Sequence, residues 1–413
     1  MKKRILLLLI ALWAIIFSYK MGFSFGKEKD ELYKELEIFS EGLAVIEKEY
    51  VEDKSAQDLI YGAMEGMLIS LDSYSQFLKP DDYRNLLVET GGKFGGLGIE
   101  ITIKEGLLTV VSPIEDTPAW NAGIKAGDMI IKIDGELTKD ITLNDAVKKM
   151  RGKPGTKVTL TILKEESKNL EDITLTRDVI NIKDIKRAII LEDNIGYVRI
   201  AEFRENTAVD LDKALAKLEK DGLKALIVDV RNNPGGLLSS AVDIASRFTK
   251  DEEAIVSTKS RNEPEKVYKS QPLEKKYLDM PIVVLINKGS ASGSEILAAA
   301  LRENNRAILL GEKTFGKGSV QTIVPLSDGS ALRLTTSKYY TPNGTSIHEK
   351  GIEPDIIVSK LINEEAKKDI FEELKEERSE EFDYQKDYQI IRALDLIRGL
   401  LVLSSNGKES QAQ

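Results

Sequence analysis

The sequence predicts an α+β protein of several domains: a mixed α/β core, a mostly-β module inserted ahead of it, and helical arms at the N- and C-terminal ends. Three observations predict this. Two continuous apolar runs, Ala225-Leu-Ile-Val-Asp229-Val230 and Ile282-Val-Val-Leu-Ile286, each end in a glycine-containing turn and lead into a helix-like stretch. From Gly98 to Ile162, short segments alternate apolar and polar residues between turns, as half-buried strands do. Charged stretches with apolar residues at helical spacing flank both regions. At 413 residues the chain has room for about two to four domains, each with its own core.

The elements follow in order. Lys2, Lys3 and Arg4 precede an apolar run from Ile5 to Phe17, which reads as an export segment. The run falls short of the ~20 residues of a full membrane span, and Tyr19, Met21 and Phe23 extend it. It carries no Ala-x-Ala cleavage site, so an uncleaved signal anchor is expected ahead of a cleaved signal peptide, with the rest of the chain outside the cytoplasm. Leu32, Leu36, Phe39, Leu43 and Ile46, then Leu59, Ile60, Met64 and Met67, stand at helical spacing up to the turn at Leu71-Asp-Ser-Tyr74-Ser and Lys79-Pro80-Asp81. A packed helical arm is the simplest reading, and a dimerisation arm the sharper one.

Glycines then cluster from Gly91 to Gly98. Strands are expected over Leu107–Val111, Met129–Ile133 and Val158–Ile162, with turns at Asp134-Gly135 and Pro154-Gly155 and one short helix around Leu143–Met150. From Ile185 the pattern changes. Its continuous apolar runs suit strands buried on both faces, and strand, glycine turn, helix occurs twice: through Arg231-Asn-Asn-Pro234-Gly235-Gly236, and through Gly289-Ser-Ala-Ser292-Gly-Ser-Glu295. A third run, Ala307–Leu310, leads to Gly311. Ligands of open α/β sheets gather at the carboxyl ends of strands, where both turns would lie. The densely charged stretch from Asn363 to Arg378 reads as a solvated helix face, followed by a periodic stretch through Ile390, Ile391, Leu394 and Ile397. These breaks divide the chain into residues 1–26, 27–88, 89–165, 175–360 and 361–413.

Composition narrows the chemistry. A net charge of −9 disfavours a general nucleic-acid binder. The absence of cysteine removes disulfides, thiolate zinc sites and a cysteine nucleophile, and a single histidine, His348, rules out a histidine-rich metal site. No cofactor or metal is expected. For a hydrolase with a side-chain nucleophile, serine with lysine is the pairing left to test. Lys317, in Gly316-Lys317-Gly318, follows Ser292 by 25 residues (317 − 292). Composition does not rank Ser290, Ser292 and Ser294. Ser292-Gly-Ser-Glu295 also fits a capping box at a helix start, where the dipole favours developing negative charge. Gly311-x-x-x-x-Gly316-Lys317-Gly318 nearly matches a phosphate-binding loop, but Gly318 stands where that loop needs Ser or Thr, and a strand rather than a helix is expected next.

A lysine base must be neutral. With an ordinary lysine pKa near ~10.4, fewer than about one in a thousand is neutral at pH 7, and a shift of ~3 units takes roughly 4 kcal/mol. Burial and a helix N-terminus both push that way. Phe315, Val320 and Ile323 are the available apolar wall, and Gln321 can orient the amine without adding negative charge.

Read in order, Leu71-Asp-Ser-Tyr-Ser, Phe94-Gly-Gly-Leu-Gly98, Ala122-Gly-Ile-Lys-Ala-Gly-Asp128, Arg231-Asn-Asn-Pro-Gly-Gly236, the serine motif, Thr314-Phe-Gly-Lys-Gly-Ser-Val-Gln321 and Tyr340-Thr-Pro-Asn-Gly344 resemble the C-terminal processing peptidases, or tail-specific proteases. The resemblance runs from about Leu71 to Val358. It implies a serine-peptidase core with an embedded PDZ domain. It assigns the nucleophile to Ser292, the base to Lys317 and the lysine-orienting role to Gln321. It implies oxyanion donors from the backbone N–H groups of Gly293 and of the Pro-Gly-Gly turn, with Gly236 preferred over Gly235. Gly293 departs from the family pattern, which commonly has alanine there, and glycine leaves the loop less restricted. The PDZ position implies a clamp that adds a substrate tail as a strand and holds its carboxylate at Gly96, Leu97, Gly98 and Ile99. Arg151, after the short helix, is expected to be a surface arginine, with contact to a tail or to the peptidase core as the sharper reading.

The implied partners are proteins or peptides with apolar C-terminal tails. A homodimer is expected from the two helical arms, and membrane contact from the N-terminal segment. The competing reading is an inactive PDZ scaffold that binds tails without cutting, against which stand the filled catalytic positions.

Overall fold

The computed structural model describes residues 32–359 and 382–410, apart from single positions 105, 115, 126, 140 and 166. The expected export segment, residues 1–26, and the charged stretch Asn363–Arg378 lie outside the described residues. Among the described residues, no helix is long and apolar enough to cross a membrane. The chain forms two compact units, one from residues up to Lys79 with Ile323–Leu334, the other from Pro80–Thr322 with Thr335–Gln413.

In the first unit, a helix over residues 32–49 is followed by the helix Ala56–Ile69, whose start is capped by Ser55 accepting from the Asp58 N–H at 3.0 Å. Leu32, Leu36, Phe39 and Ile46 all stay exposed, so the periodic face forms as expected but is not packed within this unit. The Asp72 carboxylate accepts from the Tyr74 and Ser75 N–H groups, both at 2.7 Å, and so closes the expected turn. The strand Gln76–Leu78 then pairs with Ala331–Arg333, burying Phe77 and Leu78.

In the second unit, the mostly-β module is entered by Lys93–Gly96 and left by Asp178–Asn181, which pair antiparallel. Between them the strands Ile99–Lys104, Leu107–Pro113, Met129–Ile133, Lys157–Leu163 and Leu170–Thr176 lie in that order in one sheet. Lys157–Leu163 alternates buried and less buried residues, as its period of two predicts. Asp134 and Gly135 both have positive φ, 48° and 82°, matching the twist of a tight hairpin into Glu136–Leu137. Leu108, Val110, Ile130, Leu160 and Ile162 pack with Ala146 and Met150 of the helix Leu143–Met150 into a core of their own.

The α/β core is one sheet of β1 (Ile185–Ile190), β2 (Ile195–Ile200), β3 (Ala225–Asp229), β4 (Ile282–Ile286), β5 (Ile308–Gly311) and β6 (Ile356–Ile357), in that spatial order. Only β1 runs antiparallel to its neighbour. Every residue of β3 and β4 is buried, as their unbroken apolar runs require. Helices α1 (Thr207–Lys220), α2 (Leu238–Ser246) and α3 (Gly293–Glu303) pack with Val198, Leu226, Val228 and Val284 on one face. Helix α4 (Tyr388–Ser410) covers the other, placing Ile390, Ala393, Leu394 and Ile397 against Tyr197, Ile227, Val283 and Leu285. The periodic C-terminal stretch is therefore helical as expected, and it folds back as a layer of the core. At about 1.5–3 kcal/mol per fully buried aliphatic side chain, Ile390 and Ile397 alone anchor it firmly.

Candidate active site

β3 and β4 are parallel neighbours, so their carboxyl-end turns lie side by side. The turns are sewn together. Ser290 Oγ donates to the Val230 carbonyl at 2.8 Å, the Ala291 N–H and Ser294 Oγ donate to the Asn233 carbonyl at 3.0 and 2.9 Å, and the Asn232 N–H donates to Asn287 Oδ1 at 2.9 Å. Two of the three serines are thus spent on the framework, both completely buried. Ser292 differs. It stands at the head of α3 with φ 52° and ψ −110°, outside the wells a serine prefers, a strain of order 1–3 kcal/mol that the surrounding bonds must hold. It is 8% exposed, and the buried Tyr339 hydroxyl lies near its side chain. Burial pushes that phenol up to about 12, so it stays neutral at working pH.

Glu295, one turn into α3, is the organising group. Its carboxylate is completely buried and accepts four hydrogen bonds. Oε1 takes the Thr314 hydroxyl at 2.6 Å and the Gly316 N–H at 2.7 Å; Oε2 takes the Ser292 and Lys317 N–H groups, both at 2.9 Å. One oxygen therefore joins the backbones of the expected nucleophile and base, leaving their nitrogens within two hydrogen-bond lengths of each other. Burial raises the Glu295 carboxyl above the usual range, and the four donors oppose that rise without cancelling it.

The Lys317 loop is held close on its far side. A Cβ on Gly318 would lie 2.1 Å from the His348 nitrogen, so the Ser or Thr of a phosphate-binding loop cannot stand there without displacing backbone. The strand Ser319–Pro325 follows, as expected. The Lys317 side chain is part-buried. Of the apolar wall expected for it, Phe315 is 60% exposed, while Val320 packs on the main core. Gln321 donates through Nε2 to Ser319 Oγ at 2.8 Å and Thr335 Oγ1 at 3.4 Å, so the acceptor end of its amide is what it has left to offer.

The two glycines of the Pro-Gly-Gly turn are not equivalent. The Gly235 N–H donates to Asn233 Oδ1 at 2.9 Å, and its carbonyl accepts from the Phe203 N–H at 2.8 Å. No hydrogen bond among the described residues engages the Gly236 N–H. Gly293 opens α3, where an N–H has no partner within the helix.

In the module, Gly98 has φ 74°, and a Cβ there would meet Thr117 at 2.3 Å. The Leu97 and Gly98 carbonyls are taken by the Ala119 and Ile114 N–H groups at 3.0 and 2.7 Å. Among the described residues, the strand Ile99–Lys104 stands at the end of its sheet, paired with Leu107–Pro113 and with the helix Leu143–Met150 beside it. Leu97 packs in the module's own core, separate from that of the α/β sheet. The Arg151 guanidinium stacks over the Phe94 ring, 4.5 Å from the centroid.

Comparison with known proteins places this arrangement. Residues 194–358 match peptidase family S41, and residues 109–164 match a PDZ domain. A carboxy-terminal-processing protease of Bartonella bacilliformis is 45% identical over 339 residues, 81% of this chain and 77% of that one. The chain belongs to this family. It is a PDZ-containing C-terminal processing peptidase, and hence a serine-type endopeptidase. A carboxyl-terminal-processing protease of Synechocystis is 40% identical over 72% of this chain and 70% of its own. A solved structure from Bacteroides fragilis, described as an S41 protease, shares the fold at 17% identity, with a TM-score of 0.52 over 87% of this chain and 97% of that one.

Within the peptidase, Gly293 has a local reason. A Cβ there would sit 3.2 Å from a ring carbon of Phe203, the residue whose backbone pairs with the Pro-Gly-Gly turn. Gly235 is tighter still: its φ is 105°, and a Cβ would lie 2.7 Å from both the Ala291 oxygen and Ser292 Cβ, and 2.8 Å from the Gly293 nitrogen. Gly235→Ala is expected to push the turn off the serine and cut kcat by about 10²-fold or more, the scale of losing an oxyanion donor. Steady-state kinetics on the folded variant checks this; kcat within threefold of wild type would contradict it.

The sequence offers Glu295 only as the far end of a capping box and does not single out Tyr339. The capping-box spacing was the one signal for Glu295. Nothing local marks a glutamate as completely buried or a tyrosine as lying near a serine 47 residues earlier (339 − 292).

Proposed function

We propose that this peptidase works outside the cytoplasm, takes the C-terminal tail of a protein substrate onto its PDZ module and cleaves by a Ser292–Lys317 dyad. The observation that carries the dyad is the shared Glu295 oxygen, which brings the two residues' backbones together. Neutral Lys317 Nζ takes the Ser292 Oγ proton as Oγ bonds to the substrate carbonyl carbon and the carbonyl π pair moves onto oxygen. The Gly236 and Gly293 N–H groups stabilise that oxyanion. Its collapse breaks the C–N bond, and the lysine returns the proton to the departing amine. Water, deprotonated by the same lysine, then releases the acyl group from Ser292. Gln321 orients the amine through its carbonyl oxygen.

The edge of Ile99–Lys104 takes the tail as an added strand, with the carboxylate at the Gly96–Ile99 turn. The exposed apolar face of the helix over residues 32–49 supports a homodimer, and the basic and apolar N-terminal segment supports membrane attachment.

Mapping cleavage of a protein with an apolar tail, beside the same protein C-terminally amidated, tests tail capture. The free tail is expected to be cut at least tenfold more efficiently, the scale of a charge-assisted hydrogen bond of about 1.5–3 kcal/mol. Equal rates would remove the carboxylate-binding role and leave the peptidase standing.

A further inference from the structure

The turn that carries Gly236 begins at Arg231, and the Arg231 side chain is buried in a way the peptidase core alone does not satisfy. Its guanidinium has five N–H donors. Two go to Asp229, which is completely buried at the end of β3: Nε to Oδ1 at 3.0 Å and Nη2 to Oδ2 at 2.6 Å. The other three go to the start of α4. Nη1 and Nη2 reach Asp387 Oδ1 and Oδ2 at 3.1 and 2.8 Å, and Nη1 reaches Gln389 Oε1 at 2.7 Å. Gln389, itself 3% exposed, passes its amide on to the Val358 carbonyl at 2.6 Å. All five donors are used, three of them by residues beyond the segment that matches the peptidase family, 194–358.

We infer that Asp387 and Gln389 are positioning residues for catalysis: by completing the shell of Arg231, helix α4 holds the oxyanion turn in register with the nucleophile turn. A planar fork bound on two edges cannot swing, and the Arg231 N–H is pinned to the same Asp229 oxygen at 2.9 Å. From there the turn runs directly to Asn233, whose carbonyl holds the Ala291 N–H and Ser294 Oγ on either side of Ser292. Without the α4 acceptors, a buried cation keeps three unpaired donors and seeks water or new partners, taking the start of the turn with it. The C-terminal helix is thus part of the active-site frame as well as a cover for the sheet. The inference rests on the proposal that Ser292 and the Gly236 turn do the chemistry.

The test compares variants of the full chain. Asp387→Asn keeps a good helix cap for the Gln389 and Ile390 N–H groups, but loses the charge and one acceptor. Gln389→Leu removes the other acceptor. Ile397→Ala loosens α4 by packing alone, away from Arg231. Asp387→Asn and Gln389→Leu are each expected to lower kcat about tenfold, less than loss of an oxyanion donor, with KM unchanged. Asp387→Glu is expected to recover part of the loss. Ile397→Ala, assayed well below its own melting temperature, is expected to keep wild-type kcat while melting earlier. Wild-type kcat in both acceptor variants, or an equal loss in Ile397→Ala, overturns the inference. Ser292→Ala assayed alongside separates the two readings: if it retains activity, the catalytic assignment has failed, whatever the helix variants do.

Discussion

Ser292→Ala and Lys317→Ala are each expected to bring cleavage of an unfolded, apolar-tailed protein down by about 10⁴-fold or more, the scale seen when one member of a nucleophile–base unit is removed. Without Oγ there is no acyl-enzyme route, and without Nζ nothing in the loop takes the proton. Lys317→Arg is expected to be as inactive, because a guanidinium does not become neutral at working pH. The losses of Ser292→Ala and Lys317→Ala should not multiply in the double variant, since each alone disables the same step. Mass spectrometry of the substrate after long incubation reads this, with circular dichroism confirming the fold. Retained activity in either single variant sinks the dyad.

Glu295→Gln is expected to cost about 10²-fold in kcat and to destabilise the fold by a few kcal/mol. Glutamine keeps one acceptor oxygen but puts a donor where the other was. At that point it faces either the Ser292 and Lys317 N–H groups or the Thr314 hydroxyl and Gly316 N–H. Each buried N–H left unpaired costs about 1–3 kcal/mol. The raised carboxyl adds a pH signature. As pH falls through the folded-state pKa, Glu295 takes up a proton and the oxygen shared by Ser292 and Lys317 ceases to be a full acceptor. Activity should then drop at a higher pH than an ordinary glutamate would cause. Stability moves the other way. A carboxyl whose pKa is higher folded than unfolded favours the fold upon protonation, so its contribution grows as pH falls from above the folded pKa to the unfolded one. Subtracting the pH profile of Glu295→Gln from that of the wild type isolates both trends. An acid limb unchanged by the substitution would show that Glu295 does not set it.

Much of the fold was legible because local patterns carry it. The runs at Ala225–Val230 and Ile282–Ile286 suit strands with both faces covered, and Lys157–Leu163 alternates as one face of a sheet must. Helix α4 was legible as a helix from Ile390, Leu394 and Ile397, but not as a layer of the core. A periodic stripe shows that a face must be buried, without saying against what. The helix over residues 32–49 makes the same point in reverse, since its stripe forms and remains exposed.

The site divides in the same way. By itself the sequence determined the kind of chemistry: no cysteine, one histidine, a serine triplet at a strand end, a lysine in a glycine turn, and an order of motifs specific enough to imply the family. Only the tertiary structure decided which atoms meet. Ser290 and Ser294 are framework because Val230 and Asn233, about sixty residues away, take their hydroxyl protons. Gly235 has its N–H occupied by a side chain, whereas no hydrogen bond among the described residues engages that of Gly236. Glu295 joins the Ser292 and Lys317 loops, and Arg231 is completed by acceptors 156 and 158 residues further on. Hydrogen bonds of that range, and the burial that makes them strong, come into being only when distant segments pack together. Residue spacing along the chain therefore does not encode them.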